Sequence, residues 1–246
     1  MLRNIKNLFG YKIHARDGNI GEVYDFFFDD ETWAVRYLVV DVETWLLNRK
    51  VLISPAVFGQ PEWESRYFPV TLTQQQVKNS PDIDTHKPIS RQHQIELHNY
   101  YGWPLYWHAG GPYNIPPVTY ISETERGKTS TREDERDSHL RSMREVKNYH
   151  IHAIGGEIGH VSDFLVDDKT WVVRYIVVDT GSWLPGKKIL IAPLWIDKVC
   201  WEESKVYVDL PKEMIKNSPK YDPSIPVSRE CEIALYEYYC RQKYWV

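Results

Sequence analysis

Cysteine is scarce in this sequence, and the three present are Cys200, Cys231 and Cys240. Their odd number and their spacing match no metal-binding or disulfide framework, which predicts free thiols in a reducing compartment. The sequence also lacks a signal-peptide pattern at its start and any apolar run near the roughly 20 residues that cross a bilayer. These absences predict a cytoplasmic protein without a transmembrane segment.

An excess of positive charge is missing as well. The chain has 30 Lys and Arg against 34 Asp and Glu, which gives a formal net charge of −4. A general nucleic-acid binder carries a basic surface, so no nucleic-acid partner is expected. The full motifs G-x-x-x-x-G-K-[ST], G-x-G-x-x-G and G-x-S-x-G do not occur, so we expect no bound cofactor and no enzymatic activity.

What the chain does contain is a duplication. With an offset of 138, Tyr11 aligns with Tyr149, and the same offset continues without a gap to Trp107 and Trp245. About 44 of these 97 pairs are identical, which indicates two copies of a whole domain. The match extends backward to Leu2-Arg3 and Leu140-Arg141. We therefore predict a first repeat at 1–107, a linker rich in Gly, Pro and charge at 108–138, and a second repeat at 139–246.

Each repeat has the pattern of a small β-domain followed by helices. A short strand from Tyr11, a long strand over 20–28 and a third over 33–41 are predicted, and the last two should form a hairpin. Apolar residues on both faces of the 20–28 stretch favour a central position in the sheet. A fourth strand precedes Pro55, and Val70 with Leu72 suggests a fifth.

Helices are predicted after the strands. Thr73 and Gln76 form a capping-box pattern, and Ser90 and Ser228 are N-cap candidates for a last helix in each repeat. The predicted apolar stripe of that helix comprises, in the two copies, Leu97, Tyr100 and Tyr101, and Leu235, Tyr238 and Tyr239.

The stretch Gly18-Asn19-Ile20-Gly21-Glu22-Val23-Tyr24-Asp25-Phe26, its copy from Gly156, and the segment Val51 to Pro55 resemble the PRC-barrel domain family. That module is similar to the cytoplasmic domain of the photosynthetic reaction-centre H subunit and to the C-terminal domain of the ribosome maturation factor RimM. The resemblance covers roughly 10–72 and 148–210. It implies two tandem small β-barrels used for docking or assembly.

Two ion pairs are predicted within the hairpins. If the loop is the four residues 29–32, Asp25 faces Arg36, and Asp163 faces Arg174 in the second repeat. Charges among apolar neighbours need partners, so we expect structural salt bridges that fix strand register. The neighbouring carboxylate pairs, at 29–30 and 167–168, are expected to be solvated turn residues.

The second repeat contains three histidines that could share a face of the sheet. His150 and His152 are two residues apart on a predicted strand, and His160 lies on the next strand. On paper this arrangement could hold a metal ion. Because Lys12 and Glu22 replace two of them in the first repeat, a polar role at the barrel rim is the preferred interpretation.

Aromatic residues supply the remaining candidates. Trp103, Trp107 and Trp245, in the tails of the two repeats, are expected to clamp each tail onto a barrel or to serve as anchors for a protein partner. Trp45 and Trp183, in corresponding loops, are further interface candidates.

The sequence thus favours a non-enzymatic cytoplasmic interaction or scaffold protein with a protein partner. The alternatives are a small-molecule- or metal-binding regulator, with a site at a barrel rim or between the repeats, and a hydrolase with unfamiliar motifs. The two barrels could also pack together, or the chain could form a homo-oligomer.

Overall fold

A computed structural model describes residues 1–42, 49–83, 89–108, 139–181 and 183–245. They form two compact units. Unit 1 combines Met1–Asn7 with Met143–Val246, and unit 2 lies within Leu8–Ser142. The units differ from the sequence repeats because the first residues of each repeat belong to the unit formed by the other repeat.

The chain is mainly β, as predicted. In chain order the strands are β1 (Leu2–Asn4), β2 (Lys12–Ala15), β3 (Gly18–Asp29), β4 (Val35–Asp41), β5 (Lys50–Ile53), β6 (Tyr67–Pro69), β7 (Leu140–Ser142), β8 (His150–Ile154), β9 (Gly156–Asp167), β10 (Val173–Asp179), β11 (Lys188–Ile191), β12 (Ile196–Cys200) and β13 (Lys205–Pro211). The helices are α1 (Gln74–Lys78), α2 (Arg91–Tyr101), α3 (Met143–Val146), α4 (Lys212–Lys216) and α5 (Arg229–Tyr238). None of these described helices is long and apolar enough to cross a membrane.

Each unit is built on one sheet. The strand order is β5-β4-β3-β2-β6 in unit 2, with β7 also paired to β3. In unit 1 the order is β11-β10-β9-β8-β13-β12, with β1 paired to β9. The predicted hairpins and the central position of the long strand are confirmed. Phe26, Phe27 and Phe28 of β3 are all buried, and each such side chain contributes roughly 1.5–3 kcal/mol by leaving water.

The hairpin register differs from the prediction. Phe28 lies opposite Val35, so the loop is longer than four residues, and a bulge near its start shifts the pairing. Asp25 consequently lies opposite Val39, and the predicted facing of Asp25 and Arg36 is wrong. The second hairpin shows the same shift, because Asp163 lies opposite Val177.

The arginines of these predicted pairs lie near the turn instead. Arg36 Nε is 3.9 Å from Asp29 Oδ2, and Arg36 Nη2 donates to Thr32 Oγ1 over 3.0 Å. Arg174 Nη2 lies 3.5 Å from Thr170 Oγ1. The structural reason is the left-handed residue Trp33 (φ 57°) before β4, and Trp171 (φ 55°) is its counterpart in the second hairpin.

The turn carboxylates are also not simply solvated. Asp30 Oδ2 accepts from Arg141 Nε at 2.7 Å, and only 8% of the Asp30 side chain is exposed. Asp168 Oδ2 accepts from Arg3 Nε at 3.2 Å. The prediction failed because both arginines come from strands of the other repeat, β7 and β1, which local sequence could not place at the turn.

Helix starts follow the sequence. Thr73 and Gln76 form the predicted capping box, and Ser90 and Ser228 cap α2 and α5 through their hydroxyl groups. The apolar stripe is only partly correct, because Tyr100 is 40% exposed. The buried residues of the two last helices are Gln94, Leu97 and His98 in α2, and Glu232, Leu235 and Tyr236 in α5. A search for apolar side chains cannot find the polar members of this face.

Candidate functional site

Unit 1 has an open groove of about 560 Å³ on the polar side of β8 and β9. Its lining includes Asn148, His150, Glu157, His160, Thr180 and Trp183. The backbone between them comes close together because Gly159 has no side chain. A Cβ on Gly159 would lie 2.0 Å from the Asp179 carbonyl oxygen. The glycine therefore lets β9 approach the end of β10 beneath the groove.

The histidines and carboxylates of the groove form a row across neighbouring strands. His150 lies directly opposite His160, which in turn lies opposite Asp179. His150 Nδ1 is 2.8 Å from Glu157 Oε1, and this hydrogen bond lowers the pKa of the Glu157 carboxyl. The pKa of Asp179 is lowered mainly by its hydrogen bond with Lys188. The groove thus has two adjacent imidazoles, with the Glu157 carboxylate beside His150 and Asp179 next to His160 at the end of β10.

Trp183 forms one wall of the groove and is half-buried. The ammonium group of Lys212 lies 4.7 Å from the centre of its ring and also donates to the Glu157 carbonyl over 2.8 Å. Thr180 is buried, and its hydroxyl lies 2.7 Å from the Leu184 carbonyl. These contacts hold the loop that carries Trp183. Its counterpart Trp45 falls outside the described residues.

The three predicted metal-ligand candidates are only partly brought together. His150 and His160 are neighbours across the strands, whereas His152 lies opposite Glu157, with its Nε2 4.0 Å from that carboxylate. Within the described ranges, no group of three or more His, Cys, Asp or Glu side chains is placed to hold a metal ion.

The groove is one place where the two repeats differ in chemistry. At the positions of His150 and His160, the first repeat has Lys12 and Glu22, which form an ion pair with each other. Asn148 replaces Gly10, and Thr180 replaces Val42. The core of each sheet keeps its apolar character, so the duplication retains the scaffold and changes this surface.

The aromatic tails pack within their own units. In unit 2, Trp103 stacks on Tyr101 at 4.2 Å between ring centres, and the Arg91 guanidinium lies 4.4 Å from the ring centre of Trp107. In unit 1, the Arg229 guanidinium lies 4.3 Å from the ring centre of Trp245. Half-buried positions of this kind fit the tail-clamping interpretation. Their use as anchors for a partner stays a prediction.

Below each tail lies a buried polar cluster that the sequence did not reveal. In unit 1, Glu232 accepts hydrogen bonds from Tyr175 at 2.9 Å and from Tyr244 at 2.8 Å, and Arg229 lies 2.9 Å from its second oxygen. Burial raises the pKa of Tyr244 to about 12. The guanidinium group of Arg174 stacks on the same tyrosine ring at 4.4 Å.

Unit 2 has different groups at the same positions. Gln94 accepts from Tyr106 at 2.6 Å. His98 Nδ1 donates to the Pro104 carbonyl over 2.9 Å, so its Nε2 accepts from the Tyr37 hydroxyl at 2.7 Å. Burial lowers the pKa of His98 to about 4. The only sequence signal was the i, i+4 spacing of Gln94 and His98, read together with the apolar Leu97.

Comparison with known proteins agrees with this duplicated, mainly β architecture. A family model described as PRC-barrel domain matches residues 2–61 and 151–215, just over half of the chain. The chain therefore belongs to the PRC-barrel domain family. The first matched region begins at the first residue of β1, whereas the second begins within β8.

An uncharacterized protein of Deinococcus radiodurans is 38% identical over 68 residues, which is 27% of this chain. The chain matches about a quarter, 24%, of the length of that relative. The relative's printed description assigns no activity or ligand.

Proposed function

We propose that this chain is a non-enzymatic cytoplasmic docking protein, and that the groove of unit 1 binds an extended, carboxylate-bearing segment of a protein partner. The observation that carries this proposal is the Trp183 wall beside the paired histidines. Tryptophan is favoured as an interface anchor because it buries a large apolar ring while its indole N–H can still donate a hydrogen bond.

The chemistry of the partner follows from the donors that face the groove. The imidazoles of His150 and His160 and the amide of Asn148 can all donate hydrogen bonds, and Lys212 adds a positive charge beside Trp183. A peptide carboxylate would accept from these donors. An open groove with a polar floor suits a peptide segment better than a small apolar ligand, which prefers an enclosed pocket.

The sequence resemblance to the module of the reaction-centre H subunit and of RimM also implies a docking role, which is consistent with this proposal. Fold alone does not carry a function across, so the groove rather than the family is the basis of the proposal.

The test is selection of peptides from a displayed library on the intact chain, followed by affinity measurement against variants. We expect selected peptides to be rich in Asp and Glu, and to bind at least about tenfold more weakly to Trp183→Ala and to His160→Glu. Glu22→Gln, at the position of His160 in the first repeat, is the matched control and should leave affinity unchanged. Peptides that bind both groove variants as well as the native chain would overturn the proposal.

A second candidate, binding of a divalent metal ion, rests on the single observation that His150 and His160 are directly opposite across β8 and β9. Neutral imidazole is a common ligand of zinc and nickel. Zinc titration followed by thermal unfolding tests it. A rise in the melting temperature that disappears in His160→Glu would favour this function, and no rise would remove it.

A further inference from the structure

Each unit contains a strand from the other sequence repeat. In unit 1, β1 pairs antiparallel with the far end of β9, where Arg3 lies opposite Val166 and Asn4 opposite Leu165. In unit 2, β7 pairs in the same way with β3, where Arg141 lies opposite Phe28. The two strands occupy corresponding positions, 138 residues apart. Each unit therefore has an acceptor site for a strand, and the two repeats exchange strands reciprocally.

One part of the strand contact is common to both sites. Arg3 meets Asp168 in unit 1, and Arg141 meets Asp30 in unit 2. Because an arginine–aspartate pair forms in either site, this contact holds a strand in place but does not distinguish one strand from the other.

The third residue of the strand is where the sites differ. In unit 1, Asn4 Nδ2 donates to Asp163 Oδ2 over 2.7 Å, and Asn4 Oδ1 accepts from the Tyr221 hydroxyl at 2.9 Å. Asp163 and Tyr221 are both buried. An asparagine side chain offers both a donor and an acceptor, so it can satisfy the two partners at once.

In unit 2 the third residue is Ser142, whose hydroxyl donates to Asp25 Oδ2. The residue that corresponds to Tyr221 is Ile83, which belongs to the same apolar cluster as Leu140 of the exchanged strand. Here the site has an apolar side chain where unit 1 has a buried hydroxyl.

We propose that Asn4 with Tyr221 in unit 1, and Ser142 with Ile83 at the corresponding positions of unit 2, determine which strand enters which site, so that each repeat selects the other repeat and not a second copy of itself. With Ser142 in unit 1, the shorter side chain could not bridge Asp163 and Tyr221, and a buried hydroxyl would lose its acceptor. With Asn4 in unit 2, an amide oxygen would lie against Ile83 without a donor. Both mismatches oppose pairing of like repeats between two chains.

The first test separates the repeats without removing either one. A protease site inserted between residues 109 and 138 of the full chain allows the linker to be cut after folding. Native mass spectrometry should then show one-to-one pairs of the two fragments, which stay associated because each unit needs the other fragment's strand. The proposal would be overturned if the fragments are found free. It would also be overturned if two cut samples are mixed and like fragments pair with each other.

The second test measures the pairing code in the cut complex. Tyr221→Phe removes only a hydroxyl and should weaken fragment association about fivefold, the effect of one buried hydrogen bond. Asn4→Ser should weaken it about tenfold or more, because Tyr221 is left without its acceptor. The double variant should be no weaker than Asn4→Ser, since both changes break the same interaction.

Ser142→Ala in β7 is the matched control, and its effect should multiply independently with that of Tyr221→Phe. If the Asn4→Ser and Tyr221→Phe effects also multiply independently, Asn4 and Tyr221 are not coupled and the code is wrong. If Asn4→Ser prevents folding, Tyr221→Phe still decides: an unchanged affinity in that variant overturns the proposal.

Discussion

The two units bury different polar side chains beneath their corresponding last helices, α5 in unit 1 and α2 in unit 2. In unit 1 the buried face of α5 contributes the carboxylate of Glu232, which gathers two tyrosine hydroxyls and an arginine. In unit 2 the buried face of α2 contributes an amide and a neutral imidazole, Gln94 and His98. Both arrangements fill the space between the last helix and the sheet. One scaffold thus tolerates either a buried charge or a titratable neutral group, provided that each finds partners.

The largest effect on stability is expected at a glycine that the two units share. Gly159→Ala would push a Cβ into the Asp179 carbonyl, and Gly21→Ala would do the same at Asp41, both at 2.0 Å and with φ above +140°. We expect each to destabilise the protein by about 4 kcal/mol or more. Chemical denaturation measures this. Gly186→Ala, which has a positive φ but nothing within 4 Å, is the control and should cost only about 1 kcal/mol.

The pH response should distinguish the units. Burial lowers the pKa of His98 to about 4 from 6.5, against the opposing effect of its bond to Pro104. The unfolded chain therefore binds more protons between these values, and the free energy of unfolding falls as the pH drops through this window, by up to about 3 kcal/mol. Above pH 6.5 His98 is neutral in both the folded and the unfolded chain, and it no longer lowers the free energy of unfolding.

His98→Gln should flatten this pH dependence while keeping an acceptor for Tyr37. Tyr236→Phe, at the corresponding position of unit 1, should leave it unchanged, because that side chain does not titrate in the window. Denaturation curves from pH 4 to 7, with hydrogen exchange to localise the loss, make the measurement. An equal slope in native protein and His98→Gln would contradict the assignment.

The smallest effect on stability is expected when the buried carboxylate of Glu232 is changed to the amide that unit 2 has at the same position. Glu232→Gln makes unit 1 resemble unit 2 at this position, and should cost about 1–2 kcal/mol because the charge-assisted bonds from Tyr175 and Tyr244 weaken. The exposed side of the Arg229 contact adds little. The reverse change, Gln94→Glu, adds a buried charge and should also destabilise the protein. A stabilising effect of Glu232→Gln in thermal unfolding would show that the carboxylate is not favourable there.

Much of the local architecture could be predicted from sequence. Thr73, Ser90 and Ser228 mark helix starts because capping requires only neighbouring residues. The long central strand was recognisable because Phe26 to Phe28 fill both of its faces. The absence of the predicted facing of Asp25 and Arg36 could not be foreseen, since the left-handed residue before β4 and the bulge at Arg36 in β4 change the register without a strong sequence signal.

Only part of the candidate site could be predicted from the sequence. Trp183 and the histidines were identified, but their assembly into a groove depends on the close approach permitted by Gly159. The buried residues Gln94, His98 and Glu232 were missed because a periodic pattern of apolar residues does not include polar ones. The arginine partners of Asp30 and Asp168 were missed because they lie more than 100 residues away in the chain.

The sequence by itself determined that there are two copies of one mainly β domain, because the repeat and the alternation of apolar and polar residues are both properties of the amino-acid order. Only the tertiary structure decided that the copies exchange their first strands. Hydrogen-bonded pairing between Leu2–Asn4 and β9 depends on which edge is free and which side chains meet there. The repeats define what each unit is made of, and long-range strand pairing defines which residues complete it.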